Sequence, residues 1–140
     1  MTTFFLLKPD GYERKDEIIG KFFSKTGLVS CIDFEMDRGL FDSIYANSVP
    51  PEKMDGIFEY LTSGLCTFGE SYNSIEELLS LTGRHSMPEL CAQGTIRREF
   101  GKGVVMSSQG IEIIRNAIHR PKTLIQNSVQ SKLIRENLRL

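Results

Sequence analysis

The chain opens with Thr2-Thr3-Phe4-Phe5-Leu6-Leu7-Lys8-Pro9-Asp10-Gly11. Thr2 to Leu7 is a short apolar run, rich in β-branched and aromatic residues and cut off at once by turn formers. A run of that length and content predicts a buried strand rather than a helix. Lys8 then leaves the strand end, pointing at whatever sits above the sheet, and Pro9-Asp10-Gly11 predicts a tight turn.

Working outward, helical spacing of Ile18, Ile19, Phe22 and Phe23 predicts a helix from about Glu13 to Thr26, with Gly27 as its C-cap. Leu28 to Met36 alternates apolar and polar residues and predicts a second strand. Arg38 to Ala46 places Leu40, Phe41, Ile44 and Tyr45 on one helical face. Pro50-Pro51 opens another helix through Tyr60, with Met54, Ile57, Phe58 and Leu61 turned inward. Leu65 to Phe68 reads as a third strand. Ser74 to Leu81 reads as a helix with a Ser74/Glu77 capping box. A loop to Gln93, a short helix over Thr95 to Phe100 and a Gly-rich loop follow. A last strand close to Ile118 and a helix from Thr123 complete the pattern. Strand, helix, strand, helices, strand, helix, strand is a split βαβ order. The expected fold class is α+β, a ferredoxin-like four-stranded antiparallel sheet with helices on one side.

With 140 residues, no internal repeat and no linker, the expected organisation is a single domain spanning residues 1–140. Hydrophobic residues make up 40% and charged residues 25%, which are globular values and argue against wholesale disorder. A net charge of −1 gives no general attraction to nucleic acid or acidic membranes, so any anion site must come from a few local basic residues. Cys31, Cys66 and Cys91 are odd in number and widely spaced, as reduced thiols would be. There is no signal-like start, and no run approaches the roughly 20 apolar residues of a membrane span. A cytoplasmic location is the expectation.

Three segments carry candidate chemistry. Lys8-Pro9-Asp10-Gly11 taken alone is an ordinary turn. Thr82-Gly83-Arg84 and Gly94-Thr95-Ile96-Arg97 present two arginines that could fork around phosphate oxygens, although isolated arginines are more often solvated surface residues. Asn116-Ala117-Ile118-His119 sets one of only two histidines after an apolar pair at a strand end. Such a histidine is usually structural, yet neutral imidazole is also well suited to accept and return a phosphoryl group near neutral pH. His85, in the loop beside Arg84, reads as a surface residue.

In this order and with this fold, the segments resemble the nucleoside diphosphate kinase family, over Thr3 to about Leu133. Glu59-Tyr60-Leu61-Thr62-Ser63-Gly64 is similar to that family's helix end before its third strand, and counting back places Tyr45 beside the phosphates. The resemblance implies that His119 attacks the γ-phosphorus of a nucleoside triphosphate, holds the group as an acid-labile phosphohistidine and passes it to a nucleoside diphosphate, with ping-pong kinetics. It implies that Arg84, Arg97 and Tyr45 bind phosphates, that Lys8 and Asn116 meet the ribose hydroxyls, and that the base stacks near Ile57 and Ile113 without being read. Mg²⁺ would arrive on the nucleotide phosphates with few or no protein ligands. The expected partners are ATP, GTP, ADP and GDP.

The chain also departs from the family pattern. Where the family follows its histidine with Gly or Ala-Ser-Asp-Ser, this sequence has Arg120-Pro121-Lys122-Thr123, and Pro121 has no donor to replace the serine. At the place of a helix glutamate that fixes the histidine tautomer stands Gln130 or Lys132, depending on the gap. The loop from Arg84 to Gly94 is short, with Leu90 near the position of a phosphate-binding threonine. Residues are added around Gly101-Lys102-Gly103, and the chain stops at the last helix. A homo-oligomer is expected, with a dimer, or a different assembly, as well supported as a hexamer. The alternative to a working kinase is a catalytically weakened nucleotide-binding homologue acting as a sensor or interaction module. A ferredoxin-like RNA binder, hinted at only by Phe4-Phe5, is a third reading.

Overall fold

In a computed structural model the described residues are 2–25 and 28–140, the side chains of residues 23–29 excepted. The C-cap expected at Gly27 lies outside the described residues. In chain order the elements are β1 (Thr3–Leu7), α1 (Pro9–Tyr12), α2 (Lys15–Lys25), β2 (Leu28–Phe34), α3 (Arg38–Tyr45), α4 (Pro51–Leu61), β3 (Cys66–Ser71), α5 (Ile75–Thr82), α6 (Ile96–Phe100), β4 (Gly103–Met106), β5 (Glu112–Arg115), β6 (Ile118–His119) and α7 (Leu124–Leu138). The main sheet has the order β2-β3-β1-β6, with every neighbouring pair antiparallel, as the split βαβ reading requires.

The helices do not lie on one side of that sheet. Phe4 and Leu6 of β1 join a core with Leu40, Phe41, Ile44 and Tyr45 of α3, Tyr60 and Leu61 of α4, and Ile134 of α7. Phe5 and Leu7 face the opposite way and pack with Ile18 and Phe22 of α2, Leu78 of α5, and Ile96 and Phe100 of α6. All five residues of β1 are buried. The unbroken apolar run Phe4 to Leu7 is the signature of a strand covered on both faces, where alternation would have meant one.

The crowding against β1 is severe at one point. Phe5 lies opposite Gly69 of β3, and its ring stacks on Phe22 with centroids 4.2 Å apart. A Cβ added at Gly69 would sit 2.1 Å from the Phe5 ring. Gly69→Ala is therefore expected to lower stability by about 2–3 kcal/mol, as overpacked core positions do. The corresponding fall in thermal midpoint is on the order of 5–10 °C. An unchanged melting curve would show that the ring has another place to go.

Four local readings differ from the sequence expectation. Pro9 occupies the first turn of a helix, α1, instead of a β-turn. The helix after it starts at Lys15 rather than near Glu13, and β3 runs on to Ser71. The Gly-rich stretch is a hairpin, with Val104 paired to Ile114 and Val105 to Ile113. Elsewhere the local signals hold: Ser74 and Glu77 form both halves of the capping box, and Thr95 and Thr123 cap α6 and α7.

Candidate functional site

The chain between β5 and β6 is bent sharply so that Asn116, Ala117, Ile118 and His119 can meet α1. Ala117 has φ of 71°, and the Ile118 N–H bonds back to the Asn116 carbonyl at 2.8 Å, which closes a γ-turn. Such a turn is strained in a residue with a Cβ and persists only when its surroundings fix it. The Ala117 carbonyl accepts from the Lys8 N–H at 2.8 Å. Gly11 of α1 lies against the same carbonyl so closely that a Cβ there would approach it to 2.4 Å. The first turn of α1 and the histidine-bearing turn are thus locked together.

Lys8, at the end of β1, donates from Nζ to Asn116 Oδ1 at 2.8 Å, and Asn116 Nδ2 donates to the Ser86 carbonyl at 3.0 Å. His119 is half-buried. Its ring meets Tyr45 edge-on at 5.3 Å and Phe4 at 5.9 Å. Nε2 lies 2.8 Å from Gln130 Oε1 on α7. The amide oxygen accepts there, so the proton sits on Nε2 and the free lone pair on Nδ1. The Tyr45 hydroxyl is buried and has no hydrogen-bond partner among the described residues. A buried unpaired hydroxyl beside a histidine is a place where an incoming oxygen would be welcome.

Arg97 is buried and lies across the back of this group. Its Nε and Nη2 donate to the Ile118 carbonyl at 3.3 and 3.0 Å, and Nη1 donates to the His85 carbonyl at 2.9 Å. A guanidinium has five N–H donors, so two remain for an anion. Arg120, 2% exposed, donates to Thr82 Oγ1 at 3.2 Å and to the Gly83 carbonyl at 2.7 Å.

This concentration of buried positive charge acts on every titratable group within it. Burial first, with Gln130 opposing and Lys8, Arg97 and Arg120 adding, pushes the His119 imidazole down to about 3. Burial and then Arg97 push the Lys8 ammonium down to about 7. Burial pushes the Tyr45 hydroxyl up and the Arg120 guanidinium down to about 10. His119 is thus neutral at physiological pH, and Lys8 titrates close to it. Both folded values lie below the ordinary ones, so the unfolded chain binds more protons between pH 3 and 6.5 through His119 and between pH 7 and 10.5 through Lys8. Stability should therefore rise with pH across each window, by up to about 1.4 kcal/mol per unit for each group. Urea unfolding of the protein and of Lys8→Met at pH values between 7 and 9 checks this, and equal slopes for the two would contradict it.

The structure brings together Lys8, Tyr45, Arg97, Asn116 and His119. It does not bring Arg84 into a fork with Arg97. Arg84 is exposed, and its guanidinium is held by Glu76 of α5 in a close ion pair. Ile57 is half-buried on α4, but Ile113 is 2% exposed and lies in the core beneath Gly56. It offers no open face for a base to stack on. Of the two candidates for the histidine's partner on α7, Gln130 makes the contact, whereas Lys132 is exposed and lies 3.9 Å from Glu136. Sequence reasoning misses Arg120. Its place directly after His119 is the only signal, since a buried arginine there depends on Thr82 and Gly83 arriving from α5.

Residues 1–135 match the family model for nucleoside diphosphate kinase. The chain belongs to the nucleoside diphosphate kinase family. A relative, the thioredoxin domain-containing protein 3 homolog of Ciona intestinalis, is 28% identical over 137 residues, covering 94% of this chain and 19% of that protein. The chain thus spans about a fifth of that relative's length. The nucleoside diphosphate kinase of Streptococcus pneumoniae is 29% identical over 123 residues, covering 84% of this chain and 86% of its own. The fold is similar to those of the nucleoside diphosphate kinases of Encephalitozoon cuniculi and Aquifex aeolicus, each with a TM-score of 0.76. The first, at 22% identity, is aligned over 94% of this chain and 86% of its own; the second, at 18%, over 95% and 93%. Against the nucleoside diphosphate kinase pattern, Pro121 is buried beside Arg120, and Leu90, in a short 3-10 turn over Pro88–Leu90, points to solvent at 64% exposure.

Proposed function

We propose that this chain is a working nucleoside diphosphate kinase that carries the phosphoryl group on His119. The observation that supports it most is the histidine's own setting: it is neutral, with Nε2 occupied by Gln130 and Nδ1 left nucleophilic. In this reading Nδ1 attacks the γ-phosphorus in line, and the nucleoside diphosphate leaves with the bond electrons. The two spare donors of Arg97, the Tyr45 hydroxyl and the Lys8 ammonium would offset charge on the transferring oxygens. Lys8 and Asn116, already bonded to each other, would exchange part of that bond for the ribose hydroxyls. Arg84 would have to leave Glu76 to reach a phosphate.

Mg²⁺ suits the donor set as a passenger on the nucleotide. The groups gathered around His119 are cationic or neutral, so they fit phosphate oxygens rather than a metal. Among the described residues no cluster of three or more His, Cys, Asp or Glu side chains is placed to hold a metal ion. Bound in that way, the ion would neutralise phosphate charge. ATP, GTP, ADP and GDP are the proposed substrates, and a homo-oligomer the proposed assembly.

A second reading, a nucleotide-binding homologue with weakened transfer that serves as a sensor or interaction module, is favoured by Pro121, by the uncharged Gln130 and by the Glu76 hold on Arg84. Incubation with a γ-labelled nucleoside triphosphate and Mg²⁺ separates the two. Acid-labile label on the protein supports the kinase, and nucleotide binding without label supports the sensor.

A further inference from the structure

The partner of His119 Nε2 is an amide, and an amide differs from a carboxylate in a way that matters only after the ring is charged. An ionised carboxylate can only accept, so it holds the neighbouring nitrogen in its protonated form. A primary amide accepts through oxygen or donates through nitrogen, and half a turn of its side chain exchanges the two. Gln130 is 8% exposed on α7, and its Oε1 lies 2.8 Å from Nε2. It can therefore satisfy the ring in either protonation state without bringing any negative charge.

We propose that Gln130 makes His119 a phosphoryl store: once Nδ1 is charged, the ring sheds its Nε2 proton, and the group passes on slowly. This rests on His119 being the phosphoryl acceptor. In charging, the Nδ1 lone pair forms the N–P bond while the P–O bond to the departing nucleoside diphosphate breaks, its electrons leaving with that oxygen. The product ring carries the phosphoryl group at Nδ1, a proton at Nε2 and one positive charge. Nothing negative on α7 holds that charge. The groups facing the ring from other elements are Lys8 from β1, Arg97 from α6, Arg120 after β6, and the neutral Tyr45 of α3. The proton passes to water, and Gln130 turns to donate to the bared Nε2. Discharge now demands that proton back, because expelling the phosphoryl group otherwise leaves an imidazolate anion.

The charging step needs no such proton, so the equilibrium moves toward the phosphoprotein as pH rises. The discharge rate is set by the protonated fraction and falls about tenfold for each pH unit above the Nε2 midpoint. Lys8 titrates in the same range and would also weaken phosphate contacts. The Nε2 proton must therefore be followed directly.

The test uses the full chain carrying His85→Gln, which leaves His119 as the sole histidine. It is charged chemically with phosphoramidate, independently of any nucleotide. Ring-nitrogen NMR between about pH 5.5 and 8.5 reports the Nε2 proton, and addition of ADP with Mg²⁺ reports discharge. The expected result is loss of the Nε2 proton at or below neutrality, with discharge falling as pH rises. In Gln130→Glu the proton persists to higher pH and discharge at pH 8 is at least about tenfold faster, for one unit of displaced midpoint. Lys8 also feels the new carboxylate, so the NMR titration of the Nε2 proton, and not the rate alone, assigns the effect to residue 130. An Nε2 proton retained to pH 8 in the unmutated site, a discharge rate flat with pH, or failure of phosphoramidate to load His119 would overturn the store. Phosphoramidate loading without charging by a nucleoside triphosphate would instead sink the kinase reading, with the NMR titration still deciding the amide's role.

Discussion

Replacing His119 by alanine is expected to abolish acid-labile phosphate on the protein and to lower transfer between nucleotides by more than about 10⁴-fold, the scale seen when a covalent nucleophile is removed. None of the described groups around it is a ready substitute: the Cys66 thiol is buried and pushed up to about 12. Asn116 and Gln130 are amides, the Tyr45 hydroxyl is held protonated by burial, and Arg97 and Arg120 remain cationic. Lys8 is the one amine near neutrality, but its Nζ is already engaged by Asn116, and protonated it has no lone pair. The same substitution should spare the fold. It removes a half-buried ring from beside Phe4 and Tyr45 and frees Gln130, a loss of about 1–2 kcal/mol. A coupled assay for nucleoside triphosphate formation, run beside a melting curve, distinguishes the two effects. Residual label after the substitution would move the acceptor to another residue.

Arg97→Met should be costly twice over. The guanidinium donates two hydrogen bonds to the Ile118 carbonyl and also ties down the His85 carbonyl. Stranding buried acceptors costs about 1–3 kcal/mol each, so a loss of roughly 2–5 kcal/mol is expected. Transfer should fall a further 10²–10³-fold, roughly the size of a lost oxyanion donor, because the two donors left for an anion vanish as well. Arg97→Lys is a sharper test. It keeps the charge but cannot span two carbonyls and a phosphate together. If lysine restored both melting temperature and rate, the forked geometry would be irrelevant and charge alone would suffice.

The contrast between Arg97 and Arg84 marks the limit of what the sequence discloses. Arg84 directly follows Gly83, Arg97 closes Gly94-Thr95-Ile96-Arg97, and in the sequence both read as phosphate ligands. Only the packed structure separates them, because the Arg84 partner, Glu76, lies on α5, while the Arg97 partners come from β6 and the loop at His85. Charge pairing of that kind is a tertiary fact. Local arrangements are legible: the capping box at Ser74 and Glu77 spans four residues, and it forms as read. Two further signals are present in the sequence but overshadowed by their neighbours. Val104-Val105 and Ile111 to Ile114 flank Ser107 to Gly110 as strands flank a turn, but the glycines around Lys102 suggest a loop. Asn127, Gln130 and Ile134 recur at three and four residues and form the buried face of α7. That phase already points to Gln130 and away from Lys132 as the neighbour of His119.

The sandwiched position of β1 also bears on how the molecule is made. The Phe4 N–H is completed by Asn127 Oδ1 at 3.0 Å, across 123 residues of sequence, and the Asn127 amide returns a bond to the Thr2 carbonyl at 3.1 Å. During synthesis β1 is among the first of these elements to leave the ribosome and α7 the last. α3 and α4 can cover Phe4 and Leu6 early, but the Ile134 side of that core and the acceptor for the Phe4 N–H arrive only with α7. Contacts of such separation form slowly, and an apolar core waiting for its last cover invites association with other chains. Chaperone demand and yield during expression should thus depend on α7 more than on the length of that helix would suggest.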